Sequence, residues 1–111
     1  MNKSENQKTI WLYLRVSTQG QELDNNKGQL LNYIDKNDDL KGLPYKWLEE
    51  KVSGTVHFEK RELGKIFNLA KKGDVLICFE VSRIGRNYLE IFEFLSRCAK
   101  QDIMFVLLQV I

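Results

Sequence analysis

Residues 13–21, YLRVSTQGQ, are the most informative stretch of the sequence, because an apolar run ends there and polar side chains follow at once. The run from Thr9 to Leu14 predicts a buried β-strand. Side chains two residues apart in an extended chain point to the same face, so we expect Arg15 and Ser17 to converge just beyond that strand. A serine hydroxyl beside a guanidinium indicates chemistry on a phosphodiester, because serine needs activation as a nucleophile and arginine matches phosphate in shape and charge.

Apolar segments of strand length alternate with helical patterns along the rest of the chain. Further strands are predicted from Tyr45 to Glu49, from Asp74 to Glu80 and from Ile103 to Ile111. The segment from Asp74 to Glu80 is apolar enough to be covered on both faces. This alternation predicts an α/β fold, with a mostly parallel central sheet of four to five strands flanked by helices.

Three helices are predicted between these strands, and residues 51–58 are expected to form an exposed loop. Asp24 is expected to cap the first helix, Gly73 ends the second, and the third runs from Asn87 to Lys100. The apolar positions expected to face the core are Leu30, Leu31 and Ile34 in the first helix, Leu63, Ile66, Phe67 and Ala70 in the second, and Leu89, Phe92, Leu95 and Cys98 or Ala99 in the third.

The composition suits one globular domain in a reducing compartment. The formal net charge is only +2 over 111 residues, so bulk charge by itself does not indicate DNA binding. No apolar run reaches about 18 residues, which predicts no membrane span. Residues 1–8 are polar and predict a short disordered lead-in instead of a secretory signal. Cys78 and Cys98 fit no zinc motif and are expected to be buried thiols.

A second polar segment, residues 82–87 (SRIGRN), directly follows the strand predicted to end at Glu80. The carboxyl ends of parallel strands meet at one edge of a sheet, so Arg83 and Arg86 are expected beside Arg15 and Ser17. If a helix begins in this segment, the two arginines share one of its faces. Guanidiniums stay protonated at neutral pH, and they could neutralise the transition state of a phosphoryl transfer without a metal.

The alternative interpretation is that Arg83 and Arg86 pair with surface acids such as Glu90 and Glu93. Motifs of other phosphate chemistry are missing, however. Position 59 is glutamate where a P-loop ending at Lys65 needs glycine, and neither GxGxxG nor GxSxG occurs. No cluster of Asp, Glu and His indicates a two-metal nuclease, so no metal is predicted.

Together these segments resemble the N-terminal catalytic domain of the serine site-specific recombinases, the resolvase/invertase family. The resemblance covers about residues 9–108, in the family's order and with near-family spacing. The matching segments are residues 13–18 with Gln21, Leu23-Asp24, Ser53-Gly54, Leu63 with residues 72–74, and residues 82–86.

This resemblance implies that Ser17 is a nucleophile forming a 5′-phosphoserine link to DNA, and that Arg15, Arg83 and Arg86 surround the scissile phosphate. It implies no metal and no cofactor, because the covalent link stores the bond energy. The family usually has aspartate where this chain has Ser82, and an arginine where spacing puts Lys60. Supporting positions near the site are assigned to Gln21, Ser53, Lys60, Arg61 and Ser82.

The resemblance also implies DNA as the partner, a homodimer that pairs into a tetramer, and action at the nucleoid in a prokaryotic cytoplasm. Residues 9–111 would form the catalytic domain. The family's dimerisation helix and DNA-binding domain are expected after residue 111, so this fragment is expected to be inactive alone. Two other hypotheses stay open at this point: a catalytically inactive association or regulatory module, and an unrelated α/β enzyme acting on a small phosphoester.

Overall fold

Strands and helices alternate through the chain as the sequence predicts. The computed structural model describes residues 7–16, 20–52 and 56–109, without the side chains of residues 16 and 20–25. Short 3₁₀ helices occur at Phe58–Lys60, Glu62–Lys65 and Val81–Arg83. The main elements are β1 (Ile10–Val16), α1 (Gly20–Lys36), β2 (Tyr45–Lys51), α2 (Ile66–Leu69), β3 (Val75–Glu80), α3 (Tyr88–Lys100) and β4 (Met104–Gln109).

The four strands form one parallel sheet in the order β2-β1-β3-β4. The α/β prediction with a parallel sheet is therefore confirmed, and β3 is an interior strand as its apolar sequence indicates. Arg15 of β1 lies opposite Glu50 of β2, and Glu80 of β3 lies opposite Gln109 of β4. The carboxyl ends of neighbouring strands therefore place charged side chains along one edge of the sheet.

Alternate side chains of β1 pack into two cores, one on each face of the sheet. Ile10, Leu12 and Leu14 pack with Leu30 of α1. Their neighbours Trp11 and Tyr13 pack on the opposite face, with the buried side chains of α2 and α3. Burial on both faces explains why this strand reads as a continuous apolar run with no polar alternation. Within the described ranges, no helix is both long and apolar enough to cross a membrane.

The inward face of α3 differs from the prediction. Leu89 and Phe92 are exposed, whereas Glu90, Phe94 and Cys98 are buried and Leu95 is partly buried. The reason is a polar contact: the Glu90 carboxylate accepts a hydrogen bond from the Phe58 backbone N–H at 2.9 Å. With Glu90 turned inward, residues four and eight positions later face the core, since they share its side of the helix.

Other boundaries also differ from the prediction. Helix α1 begins at Gly20, so Asp24 lies inside the helix and does not cap it. The second predicted helix is a 3₁₀ segment followed by one α-turn, and it ends at Leu69 instead of Gly73. The chain leaves the helix because the Asp74 carboxylate accepts from the Lys71 N–H at 2.8 Å, closing a turn.

The predicted exposed loop over residues 51–58 is only partly correct. Lys51 belongs to β2, and Phe58 is fully buried at the start of a 3₁₀ helix. The Phe58 ring packs edge-on against Phe94, with ring centroids 5.1 Å apart. Ser53 lies outside the described residues.

We expect Phe94→Ala to lower the free energy of unfolding by about 3–5 kcal/mol, because it removes a ring from the middle of an aromatic cluster. The Phe94 ring contacts Phe58, Phe67 and Phe105 at centroid distances of 5.1, 5.2 and 5.9 Å. The matched control is Phe92→Ala on the exposed face of the same helix, with an expected change within about 0.5 kcal/mol. Urea unfolding measures both, and equal losses would contradict this orientation of α3.

The two cysteine thiols should be protected in the folded chain. Burial raises the pKa of Cys78 above its usual range and that of Cys98 to about 12. Unfolded thiols ionise near pH 9.0 while the folded ones stay protonated, so stability should fall as pH rises above that value. Iodoacetamide labelling near pH 9 should be slow in buffer and fast in urea; similar rates would contradict the burial.

Candidate active site

Arg15 connects the carboxyl ends of three neighbouring strands. Its Nη1 donates to the Val52 carbonyl, just after β2, at 2.9 Å. Its Nη2 donates to the Ser82 carbonyl, just after β3, at 3.4 Å. The predicted meeting of Arg15 with the segment after β3 is therefore found in the structure. The side chain is held across the sheet edge directly beside the residues that follow each strand.

The surroundings of Arg15 disfavour an isolated positive charge. Burial is the main cause that lowers the pKa of its guanidinium, and the neighbouring cations of Arg61 and Arg83 lower it further. Tyr13 and Glu50 act in the opposite direction. Its Nε is also buried and has no hydrogen-bond partner among the residues that the structure describes. An anion at this edge would relieve both the charge repulsion and part of the desolvation cost.

Arg61 is almost fully buried and directs its guanidinium into the protein. Nη1 donates to the Arg83 carbonyl at 2.9 Å and to the Tyr13 hydroxyl at 3.1 Å, and Nη2 donates to the Ile84 carbonyl. Arg61 thus anchors the turn that carries Arg83. Lys60, which sequence spacing placed at the family arginine position, is exposed at the end of its 3₁₀ helix.

Glu50 is the counter-charge of this network, and the sequence interpretation missed it. Its carboxylate accepts from the Tyr13 hydroxyl and from the backbone N–H groups of Glu62 at 2.8 Å and Leu63 at 3.3 Å. Burial, followed by the bond to Glu50, raises the pKa of the Tyr13 hydroxyl above its ordinary value. The only available sequence signal was an acidic residue at the carboxyl end of a strand beside β1.

The segment after β3 is a 3₁₀ turn and not the start of a helix. Arg83 ends that turn, Arg86 lies exposed beyond it, and α3 begins at Tyr88 after the cap residue Asn87. The Asn87 side chain accepts from the Glu90 N–H at 2.9 Å, which fixes where the helix begins. Arg83 and Arg86 therefore do not share a helix face, although both follow the same strand end.

The alternative partners proposed for these arginines are occupied elsewhere. Glu90 binds the Phe58 N–H, and Glu93 lies 3.2 Å from His57 Nε2. Among the described residues, neither acid forms an ion pair with Arg83 or Arg86. Gly85 lies so close to Glu90 that an added Cβ would come within 2.6 Å of its Oε1. A glycine between the two arginines thus allows Glu90 to pack beneath the turn.

Arg83 pairs instead with Glu80, the last residue of β3. Its Nη1 lies 3.5 Å from Glu80 Oε2, and its guanidinium carbon lies 5.9 Å from the centre of the Phe79 ring. The Ser82 hydroxyl donates to the same Glu80 oxygen at 3.0 Å. Ser82, a predicted supporting residue, is thus joined to Arg83 through one carboxylate.

Three predicted site positions lie outside this description: Ser17, the side chain of Gln21, and Ser53. In the ranges that are described, one group of residues has metal-ligand character, formed by His57, Glu59 and Glu93. Both ring nitrogens of His57 already have partners, because Nδ1 accepts from the Glu59 N–H at 3.1 Å and Nε2 faces Glu93. This group therefore gives no support for a metal centre.

Comparisons with known proteins agree with the family resemblance of the sequence motifs. A family model described as Resolvase, N terminal domain, matches residues 10–111. The chain belongs to this family. It is also 29% identical over 98 residues to the transposon Tn2501 resolvase of Escherichia coli, an alignment covering 85% of this chain and 46% of that protein. This resolvase-family chain thus spans about half the length of the curated relative that it matches.

The resolvase-family fold is also found in a solved structure. This is the crystal structure of the C-terminal catalytic domain of ISC1926 TnpA, an IS607-like serine recombinase. The TM-score is 0.66 at 22% sequence identity, and the match covers 90% of this chain and 68% of that chain. The family resemblance inferred from the motifs is therefore confirmed by the family model, and the fold by this structure.

Arg61→Met should lower the free energy of unfolding by about 3–5 kcal/mol, because it leaves two backbone carbonyls and the Tyr13 hydroxyl without their buried donor. Exchange of the Ile84 amide, which donates to the Val81 carbonyl at 2.9 Å, should become faster. The same substitution at the exposed neighbour, Lys60→Met, should change stability by less than about 0.5 kcal/mol. Urea unfolding and hydrogen exchange measure these effects; equal results at the two positions would rule out the anchoring role.

Proposed function

We propose that this chain is the catalytic domain of a site-specific DNA recombinase that uses Ser17 as its nucleophile. The observation that carries the proposal is the position of Arg15 near the carboxyl end of β1, where hydrogen bonds fix it to the residues after β2 and β3. Ser17 comes two residues after Arg15 in the sequence. Family membership supports the same reaction class.

In the proposed reaction, the Ser17 hydroxyl oxygen attacks a DNA phosphorus as its proton leaves. The bond from phosphorus to the 3′ oxygen breaks, that oxygen takes up a proton, and the phosphate remains on Ser17 at a 5′ end. One phosphodiester replaces another, so the bond energy is retained and a 3′ hydroxyl can reverse the step. No external energy source and no redox partner are needed for this exchange.

The arginines are suited to stabilise the charge that develops on the phosphate. Arg15 lies near the carboxyl end of β1, Arg83 and Arg86 follow the end of β3, and Arg15 is partly desolvated in a cationic neighbourhood. Fixed cations in such a setting stabilise an anionic transition state more strongly than mobile cations in water would. We assign to these three residues the binding of the scissile phosphate, with Gln21 and Ser53 in supporting positions.

The partner and assembly follow from the same proposal. We infer that DNA is the substrate, and that two dimers pair into a tetramer when strands are exchanged. The site of action would be the nucleoid of a prokaryotic cell, which fits the Escherichia coli relative. Because the chain spans about half of that relative, these assignments concern the complete protein.

The test is covalent trapping on DNA with the complete protein. After incubation with supercoiled DNA carrying the sites that flank its gene, and a denaturing quench, we expect protein attached to 5′ ends through a Ser17 peptide. Ser17→Ala should abolish the adduct, and Arg15→Lys should slow its formation by roughly 100-fold, because the planar bidentate group is lost. The control Ser96→Ala, at an exposed serine of α3, should react normally.

Two results would contradict this proposal. An adduct that survives Ser17→Ala would assign the nucleophile elsewhere. Binding and pairing of DNA sites without any adduct in the unsubstituted protein would favour a non-catalytic association module.

A further inference from the structure

Glu80 is an acidic residue beside the arginines that are proposed to bind phosphate, where its negative charge would repel that ligand. Its contacts are nevertheless specific. It occupies the last position of β3, and its Oε2 is 3.5 Å from Arg83 Nη1. The Ser82 hydroxyl donates to this same oxygen at 3.0 Å. The Glu80 and Arg83 side chains are only 22% and 13% exposed, so solvent screens this pair less than it would a surface ion pair.

The backbone of the turn is already held from the other side. Arg61 binds the carbonyls of Arg83 and Ile84, but among the described residues no hydrogen bond joins it to the Arg83 side chain. The aromatic ring of Phe79 lies on one side of that guanidinium, and Glu80 pairs with one of its nitrogens. The main chain and the side chain of Arg83 thus have separate supports.

The surrounding charges explain why the side chain needs its own support. Arg15 reaches the Ser82 carbonyl, and Arg61 reaches the Arg83 carbonyl, so two further cations lie beside the turn. Without a nearby carboxylate, repulsion from these cations would favour turning the Arg83 side chain outward into solvent. The five N–H donors of a guanidinium exceed what one carboxylate oxygen engages, so pairing with Glu80 leaves donors for a phosphate.

We propose that Glu80 is a positioning residue for the reaction: its carboxylate, held by the Ser82 hydroxyl, fixes the Arg83 guanidinium for phosphate binding. This inference rests on the proposed function. It also accounts for Ser82 at the position where the family usually has aspartate. The carboxylate is supplied from two residues earlier, and the two side chains meet where β3 passes into the 3₁₀ turn that holds Ser82.

The test uses substitutions that move the carboxylate without removing a side chain. Glu80→Gln keeps the shape and removes the charge, and we expect covalent adduct formation by the complete protein to slow by roughly 10- to 100-fold, as for a misplaced catalytic group. Adding Ser82→Asp to Glu80→Gln should recover most of that loss, because position 82 already reaches the Glu80 oxygen. Ser82→Asp alone should give no gain, since it places two carboxylates together.

Glu49→Gln is the matched control, because Glu49 is also a glutamate near the carboxyl end of a strand but is exposed and pairs with Lys27 at 2.9 Å. It should leave adduct formation unchanged. The positioning role is overturned if Glu80→Gln reacts at the normal rate, or if the Ser82→Asp addition restores nothing.

A second measurement separates this inference from the proposed function. In nitrogen-15 NMR spectra of the 111-residue chain, the Arg83 guanidinium, assigned with Arg83→Lys, should show slowed rotation about its Nε–Cζ bond. That slowing should be lost in Glu80→Gln and return in the double variant. Failure of the unsubstituted protein to form any adduct would contradict the proposed function, whereas unchanged Arg83 signals in Glu80→Gln would contradict the role of Glu80 alone.

Discussion

The hydrogen bonds from the buried Arg61 guanidinium are the interaction on which the functional edge depends. They join the Tyr13 hydroxyl in β1 to the carbonyls of Arg83 and Ile84 after β3. Tyr13 in turn binds Glu50 at the end of β2, whose carboxylate also accepts from the segment that carries Arg61. Three strand ends are therefore tied together by one cation and one anion. A buried guanidinium is tolerable only because two carbonyls and the Tyr13 hydroxyl accept its N–H groups in place of water.

Around this buried centre, the charge balance favours an anionic ligand. Arg15 and Arg83 lie next to Arg61, and Glu50 and Glu80 are the acids that oppose them in the described structure. Both acids are already engaged by internal donors. The edge thus contains more positive than negative charge in a partly desolvated setting, where electrostatic interactions are stronger than in water. A phosphate diester supplies one negative charge of suitable shape.

The sequence was sufficient to place the strands along the chain and to predict a parallel sheet, but not to predict contacts between distant segments. Apolar runs identified the strands, and the carboxyl-end rule correctly brought Arg15 to the turn after β3. The buried face of α3 was predicted wrongly from hydrophobic periodicity, because a stripe through Leu89 and Phe92 fits a helical period as well as the stripe that is buried in the structure. The choice was made by Glu90, whose partner is the N–H of Phe58, 32 residues away. Likewise, the sequence could not show which of the adjacent residues Lys60 and Arg61 belongs to the buried network. The structure shows that Arg61 is buried and Lys60 is exposed.

The arrangement at Glu80 shows why a motif is better compared in space than in sequence. A comparison of sequences alone finds Ser82 at a position where the family usually has aspartate, and it indicates that a carboxylate has been lost from the site. In the folded chain the Ser82 hydroxyl donates to a Glu80 carboxylate oxygen, so the two side chains are in direct contact. A carboxylate at either position would therefore lie in the same part of the turn. What the turn requires is a negative group beside Arg83, because Arg15 and Arg61 surround it with positive charge. That requirement applies to a location in the fold, and a carboxylate at either position 80 or position 82 can meet it, because the two side chains are in contact where β3 passes into the 3₁₀ turn.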